Sequence, residues 1–164
     1  MYEEHGARET QEHDMSGETD LIKLYSTKIL ALAADIPHLG HLEQADATVK
    51  RRSPLCGSTV TVDVTLEDGK VAQFAQDVKA CALGQAAAAV VGAAIIGRSA
   101  AEVERARDQL KAMLTEGGPV PEAPFDGLEV LIPARDFKNR HASIMLALEA
   151  TLEAMQTAQK ADCA

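Results

Sequence analysis

The sequence predicts an α+β domain, with a small antiparallel sheet of about three strands and helices packed on one face. Two observations predict this fold class. Apolar and polar residues alternate over residues 60–66, and residues 71–78 return as the partner strand after the Asp68-Gly69 pair, which is the pattern of a β-hairpin. Stretches with helical spacing precede and follow this hairpin. Strands that follow one another directly, with helices before and after them, are typical of α+β domains.

Local signals place the elements around the hairpin. Thr19 is predicted to cap a helix that runs to about Ala34 and is ended by Pro37 and Gly40. Residues 45–52 carry a weaker strand pattern and are predicted to form an edge strand.

Three helices are predicted after the hairpin. The Ala-rich run 83–96 is expected to be buried against the sheet, and Gly97 ends it. Ser99 and Glu102 match a capping box that begins a helix reaching about Thr115. The last helix is predicted over residues 139–159.

The domain organisation follows from composition. Residues 116–124 contain two Gly and three Pro and are predicted to form a loop. Residues 1–17 are polar and aperiodic, which predicts a disordered tail. Residues 18–160, which follow this tail, are expected to form a single domain.

The charge of the chain is concentrated at its beginning. The net charge is −9, yet residues 1–20 hold seven acids and one Arg, and the other 144 residues carry 18 acids and 15 bases. The folded part is therefore close to neutral, and we expect no nucleic-acid partner. The basic run at residues 50–52 is interpreted as a solvated strand edge.

Two further observations bear on location. The apolar stretch 86–96 is too short to span a bilayer, so we expect no membrane association. Three cysteines are an odd number in a chain large enough to fold without disulfides, which indicates a reducing compartment. We predict a cytoplasmic protein.

Cys56 and Cys81 are the strongest candidates for chemistry. Cys56 lies just before the first hairpin strand and Cys81 just after the second. A hairpin brings the start of its first strand beside the end of its second, so the two thiols are expected to be neighbours. The predicted helix start after Cys81 favours a thiolate there. The alternative is that both are ordinary buried residues.

The remaining candidates are weaker. His141 stands at the start of the last helix, where a histidine is more often a surface or capping residue. His38 and His41 are interpreted as residues of a solvated loop, and Cys163, the penultimate residue of a frayed end, as a non-ligand. No nucleophile–base arrangement or phosphate-binding loop is visible, so we do not expect an enzyme.

Three segments resemble the motifs of the NifU-type N-terminal scaffold family, which includes IscU and SufU. They are residues 54–58 (PLCGS), residues 78–84 (VKACALG) and residues 140–143 (RHAS), which follow Pro133 and Arg135. The resemblance runs from about Leu21 to Met155, and the long connection between the second and third segments is similar to the SufU branch.

This resemblance implies an iron–sulfur cluster or a zinc ion held by three Cys and one Asp. The matching positions are Cys56, Ser58, Cys81 and His141, so that Ser replaces the Asp and His replaces the third Cys. Imidazole ligates zinc and some iron–sulfur clusters, whereas an alcohol is a poor ligand. A register shift of one residue would put Ala142 in the place of His141.

The resemblance leads to three hypotheses. The leading one is an assembly scaffold that accepts sulfur from a cysteine desulfurase, binds iron and passes the cluster to apo iron–sulfur acceptor proteins. The second is a zinc-binding protein that relays sulfur or regulates a desulfurase without building clusters. The third is a homologue whose site has become structural or empty. A homo-oligomer stays an open alternative.

Overall fold

The computed structural model describes residues 25–163. The predicted tail at residues 1–17 and the predicted cap Thr19 lie outside this range. The fold class is confirmed, because the described chain combines helices with one three-stranded antiparallel sheet. The elements are α1 (Thr27–Ala34), β1 (Ala47–Arg52), β2 (Thr59–Glu67), β3 (Lys70–Lys79), α2 (Ala82–Ala94), α3 (Ala100–Glu116), a 3₁₀ segment (Asp126–Asp136) and α4 (Lys138–Cys163).

The sheet has the order β1-β2-β3, with β2 in the centre. The hairpin forms where the sequence predicted it, since β2 ends at Glu67 and β3 begins at Lys70. Asp68 and Gly69 both have positive φ angles, 54° and 77°. These are the angles that a two-residue hairpin turn requires, and Asp-Gly supplies them at low cost.

The core lies between the sheet and two of the helices. Val60, Val62 and Val64 of β2 are completely buried, and α4 packs on β1 and β2 while α2 packs on α4. The alternation of apolar residues in β2 therefore supplies the face that the helices cover. No helix in the described range is both long enough and apolar enough to cross a bilayer.

The helix predicted to run without a break from Thr19 to Ala34 is wrong at Ser26, where the backbone is not helical. Ser26 is extended, with φ −60° and ψ 162°, and its hydroxyl accepts a hydrogen bond from the Ile29 N–H at 3.3 Å. A side chain that binds the free N–H groups of the first turn marks a helix start. Helix α1 therefore begins at Thr27.

The 3₁₀ segment was not predicted. Leu128, Leu131 and Ala134 are all completely buried and are spaced three residues apart. That spacing matches the three residues per turn of a 3₁₀ helix, so the segment presents one apolar edge to the core. The capping box of Ser99 and Glu102 is present at the start of α3.

Candidate functional site

The two cysteines lie at the same end of the hairpin, as the sequence predicted. Thr59 of β2 pairs with Lys79 of β3, so the residues just before β2 and just after β3 emerge side by side. Two serine hydroxyls connect the sulfurs: Cys56 Sγ lies 3.1 Å from Ser58 Oγ, and Cys81 Sγ lies 3.5 Å from Ser143 Oγ. The two hydroxyl oxygens are 3.1 Å apart. We call Cys56, Ser58, Ser143 and Cys81 the thiol–hydroxyl row.

A tight turn presents Cys56 to solvent. The Ser53 N–H donates to the Ser58 carbonyl at 2.8 Å, and the Gly57 N–H donates to the Ser53 carbonyl at 3.1 Å. Gly57 has a φ of 72°, a left-handed conformation that glycine adopts without strain. The turn leaves Cys56 exposed and free of any disulfide, so a bulky reaction partner can reach its sulfur.

Cys81 is the N-cap residue of α2 and is half-buried. Its side chain makes no capping hydrogen bond; its sulfur contacts the Ser143 hydroxyl of α4 instead. The predicted helix start after Cys81 is confirmed, so this sulfur lies at the end of a helix where the dipole favours negative charge.

Three serine groups around Cys56 favour its ionised form. Hydrogen bonding with the hydroxyl of Ser53, then with the hydroxyl and backbone of Ser58, lowers the pKa of the Cys56 thiol to about 7, although burial opposes the shift. Hydrogen bonds to a charged form stabilise that form. A substantial fraction of Cys56 is therefore thiolate at neutral pH, and the thiolate is the nucleophile.

Alkylation of Cys56 should follow this ionisation. The rate of its reaction with iodoacetamide is expected to rise with pH around a midpoint of about 7, because the fraction of thiolate rises through the pKa. Mass spectrometry of the peptides would measure Cys56 separately from the other cysteines. The Ser53→Ala variant should move the midpoint to higher pH, and an unchanged midpoint in that variant would contradict the role of the hydroxyl.

Ser143 is a site residue that the sequence did not reveal. It is buried on α4, and a Cβ atom placed on Gly84 of α2 would lie 2.6 Å from its Oγ. The two helices therefore approach closely because position 84 has no side chain. A sequence signal existed: Ser143 begins the buried series Ser143, Ala147, Thr151 and Ala154, whose spacing of three or four residues belongs to one helix face.

His141 does not join the cysteines. Its Nε2 atom lies 3.0 Å from the Ala134 carbonyl and 3.1 Å from the Arg135 carbonyl, so the ring holds the end of the 3₁₀ segment against the start of α4. Among the side chains that the structure describes, no three of His, Cys, Asp or Glu are arranged to hold a metal ion. The predicted set of Cys56, Cys81 and His141 is therefore not assembled.

The reason is helical phase. Residues two apart in a helix point about 200° apart, so His141 and Ser143 face different sides of α4. Ser143 is the member of the third motif that faces the sulfurs, rather than His141 or the alternative Ala142. The strong metal donors of the site are thus two thiols, with hydroxyls around them.

Replacing His141 with Ala should affect stability and not the thiols. The loss of the hydrogen bond to the carbonyl groups is expected to lower the free energy of unfolding by about 1 kcal/mol. Urea denaturation would measure this loss. The alkylation rate of Cys56 should stay at its wild-type value, and a change in that rate would show that His141 acts on the site after all.

Basic residues lie beside the site. Arg52 pairs with Thr59 across β1 and β2, and a Cβ atom placed on Gly57 would lie 3.6 Å from the Arg52 Nη2 atom. Lys50, Arg51 and Arg52 are exposed, as predicted for a solvated strand edge. Arg51 is paired with Glu153 at 2.8 Å, whereas the Arg52 guanidinium lies beside the Cys56 turn.

Comparison with known proteins agrees with this arrangement. The family model of the NifU-like N terminal domain matches residues 24–127. This chain belongs to the NifU-like N-terminal domain family. The predicted resemblance is thereby confirmed, and the match includes Cys56, Ser58 and Cys81 but ends before Ser143.

Solved structures share the fold of this NifU-like domain. The nitrogen-fixing NifU-like protein (N-terminal) from Brucella abortus is 40% identical, with a TM-score of 0.83 over 86% of this chain and 98% of that one. A putative iron–sulfur cluster assembly scaffold protein for the SUF system from Fervidobacterium islandicum AW-1 is 19% identical, with a TM-score of 0.72 over 82% of this chain and 98% of that one. The second likeness shows the fold alone. No curated protein matches the chain.

Proposed function

We propose that this NifU-like domain works in iron–sulfur cluster assembly, accepting sulfur at Cys56 and holding the nascent cluster with the thiolates of Cys56 and Cys81. The observation that carries the proposal is the thiol–hydroxyl row, in which two free cysteines share one corner of the domain. Membership of the NifU-like family supports the same role. The cluster is cargo in this proposal, and the protein is a carrier rather than an enzyme.

Sulfur acceptance requires a nucleophile that a partner can reach. Cys56 is exposed, and its lowered pKa makes it a nucleophile at neutral pH. Its thiolate attacks the terminal sulfur of a persulfide on a cysteine desulfurase, the sulfur–sulfur bond of the donor breaks, and the donor cysteine leaves as a thiolate. Cys56 then carries the persulfide. Arg52 beside the turn favours the approach of negatively charged sulfur. A reducing compartment such as the cytoplasm would keep both thiols available.

The donor set suits temporary rather than permanent holding. Iron–sulfur clusters are usually held by four thiolates, and the part of the chain that the structure describes brings two to this corner. Ser58 and Ser143 are hydrogen-bond partners of the sulfurs, which is a weaker interaction than ligation. The remaining iron positions are then open to ligands from solution or from an apo acceptor protein, so the cluster can be handed on.

The second candidate is a sulfur relay that builds no cluster, with or without a bound zinc ion. It is favoured by one specific observation: hydroxyls stand beside the two sulfurs, and no third thiol, imidazole or carboxylate completes a metal site in the described residues. In this case Cys56 would accept and release sulfur while iron is assembled elsewhere.

Anaerobic reconstitution separates the two candidates. The protein would be incubated with ferrous iron, cysteine and a cysteine desulfurase, and the visible absorption of sulfide-to-iron bonds recorded together with the iron, sulfide and zinc content. Assembly predicts absorption in the wild type and its loss in Cys56→Ser and Cys81→Ser. The matched control is Cys163→Ser, which removes a thiol from the end of α4 and should leave the absorption in place.

The outcomes have distinct meanings. Persulfide on Cys56 without any cluster absorption would favour the relay. Absorption that persists in both Cys56→Ser and Cys81→Ser would show that the cluster is held elsewhere. Neither persulfide nor cluster in the wild type would contradict both candidates.

A further inference from the structure

We propose that Cys81 releases the sulfur that Cys56 accepts, as hydrosulfide, by forming a disulfide with Cys56. The protein would then do more than carry sulfane sulfur. It would supply sulfide, which is the reduced form of sulfur that iron binds. The inference rests on the proposed function, because Cys56 must first carry a persulfide.

The two thiols differ in access. Cys56 is exposed in its turn and is followed by Gly57, whereas Cys81 is half-buried at the N-terminus of α2. A protein donor therefore meets Cys56 first. Cys81 faces the Ser143 hydroxyl in the interior of the corner. Reactive cysteines that are accessible and readily ionised often lie next to a resolving cysteine.

The hydroxyls give the row a direction. Ser143 donates its hydroxyl proton to Ser58 Oγ at 3.1 Å. A hydroxyl has one proton to donate, so Ser143 can only accept from the Cys81 thiol at 3.5 Å. The proton of Ser58 remains free to point at Cys56 Sγ at 3.1 Å. In this arrangement the thiol proton of Cys81 points at the Ser143 hydroxyl, and the Ser58 hydroxyl can donate to a negatively charged sulfur at Cys56.

This direction matches the chemistry of release. The Cys81 thiol loses its proton along Ser143 and Ser58 to the terminal sulfur of the persulfide, and Cys81 Sγ attacks Cys56 Sγ. The bond between Cys56 and the terminal sulfur breaks, and its electron pair leaves with that sulfur as hydrosulfide. The persulfide anion and one thiol thus become one disulfide and one hydrosulfide anion, with charge and protons conserved. The two cysteines supply two electrons to the sulfane sulfur, and a low-molecular-weight thiol or a dithiol protein then reduces the disulfide.

Two features support Cys81 as the attacking group. It forms the N-cap of a helix of 13 residues, where the thiolate formed during the attack is stabilised by the dipole and the free N–H groups. The Ser143 hydroxyl also contacts both Cys81 Sγ, at 3.5 Å, and Ser58 Oγ, at 3.1 Å. Because Ser58 Oγ in turn lies 3.1 Å from Cys56 Sγ, the two hydroxyls link the two sulfurs.

The test uses a Cys163→Ser protein, in which Cys56 and Cys81 are the only thiols. It would be loaded anaerobically with inorganic polysulfide and freed of excess reagent by gel filtration. Without added reductant, we expect release of about one hydrosulfide per persulfide formed. Peptide mass spectrometry should find the Cys56–Cys81 disulfide appearing at the same rate.

Variants separate the steps. In Cys81→Ser the persulfide should accumulate on Cys56 without release of sulfide. In Ser143→Ala release should slow at least about tenfold, with a changed pH dependence, because the proton path is broken. Release that continues undiminished in Cys81→Ser, or a wild type that keeps its persulfide, would overturn this inference and leave sulfur acceptance intact. Failure of Cys56 to take up persulfide at all would instead overturn the proposed function and this inference with it.

Discussion

Replacing Ser143 with Cys is expected to raise the affinity of the protein for zinc by at least about tenfold. Even residues that only orient a metal ligand change affinity by about 10–100-fold, and this substitution adds a ligand. Ser143 Oγ lies 3.5 Å from Cys81 Sγ and 3.1 Å from Ser58 Oγ, so a sulfur at position 143 would stand beside the existing pair. Gly84 carries no Cβ atom that would collide with this sulfur.

Competition with a chromophoric chelator would measure zinc affinity, and cobalt substitution would report the number of thiolates bound. Ser143→Ala controls for the loss of the hydroxyl. Thr151→Cys adds a thiol at another buried position of the same helix and controls for an extra cysteine. If Ser143→Cys binds zinc no more tightly than these two variants, position 143 does not face a metal site.

The second large effect is expected from Gly84→Ala. Alanine in place of glycine inside a helix normally stabilises by about 1 kcal/mol. Here the added Cβ would lie 2.6 Å from Ser143 Oγ and 2.8 Å from the Ala80 Cβ, and overpacking of this kind costs about 1–3 kcal/mol. We expect the overlap to outweigh the helix gain, with a net loss of stability and a displacement of Cys81 from Ser143.

Chemical denaturation of Gly84→Ala, Ser143→Ala and the double variant would test this account. Removing the Ser143 hydroxyl takes away the shortest of the overlaps, so the double variant should be more stable than the sum of the two single changes predicts. A Gly84→Ala protein as stable as the wild type would show that α2 and α4 are not held this closely together.

The sequence was sufficient for the sheet and for the two cysteines. An alternating apolar run followed by an Asp-Gly turn and a second strand-like run predicts both the hairpin and the neighbourhood of its outer ends, so Cys56 and Cys81 could be placed together without a structure. These are local signals, and local signals decide strand alternation and turn type.

Which residue of the segment 140–143 faces the sulfurs depends on how the helices pack, and local sequence patterns do not determine that packing. His141 looked like a ligand because it was the nearest chemically suitable residue in the third motif. The direction of a side chain on α4 is set by the contact of that helix with α2 and the sheet, and this contact selects Ser143. The start of α1 and the 3₁₀ segment were missed for a related reason. A single serine cap at Ser26, and three buried residues spaced three apart in the 3₁₀ segment, are weaker sequence signals than a long amphipathic repeat.

The thiol–hydroxyl row also couples the cargo to the whole domain. Ser58 belongs to the turn that leads into the central strand, Cys81 to the start of α2, and Ser143 to α4, so three elements distant in sequence meet at one corner. A ligand that binds both sulfurs therefore holds these elements together. Because it binds only the folded chain, it shifts the unfolding equilibrium toward the folded state. Loading and unloading of this protein should therefore be visible as a rise and fall of its melting temperature, and a recipient that loosens the corner would lower the affinity for the cargo it takes.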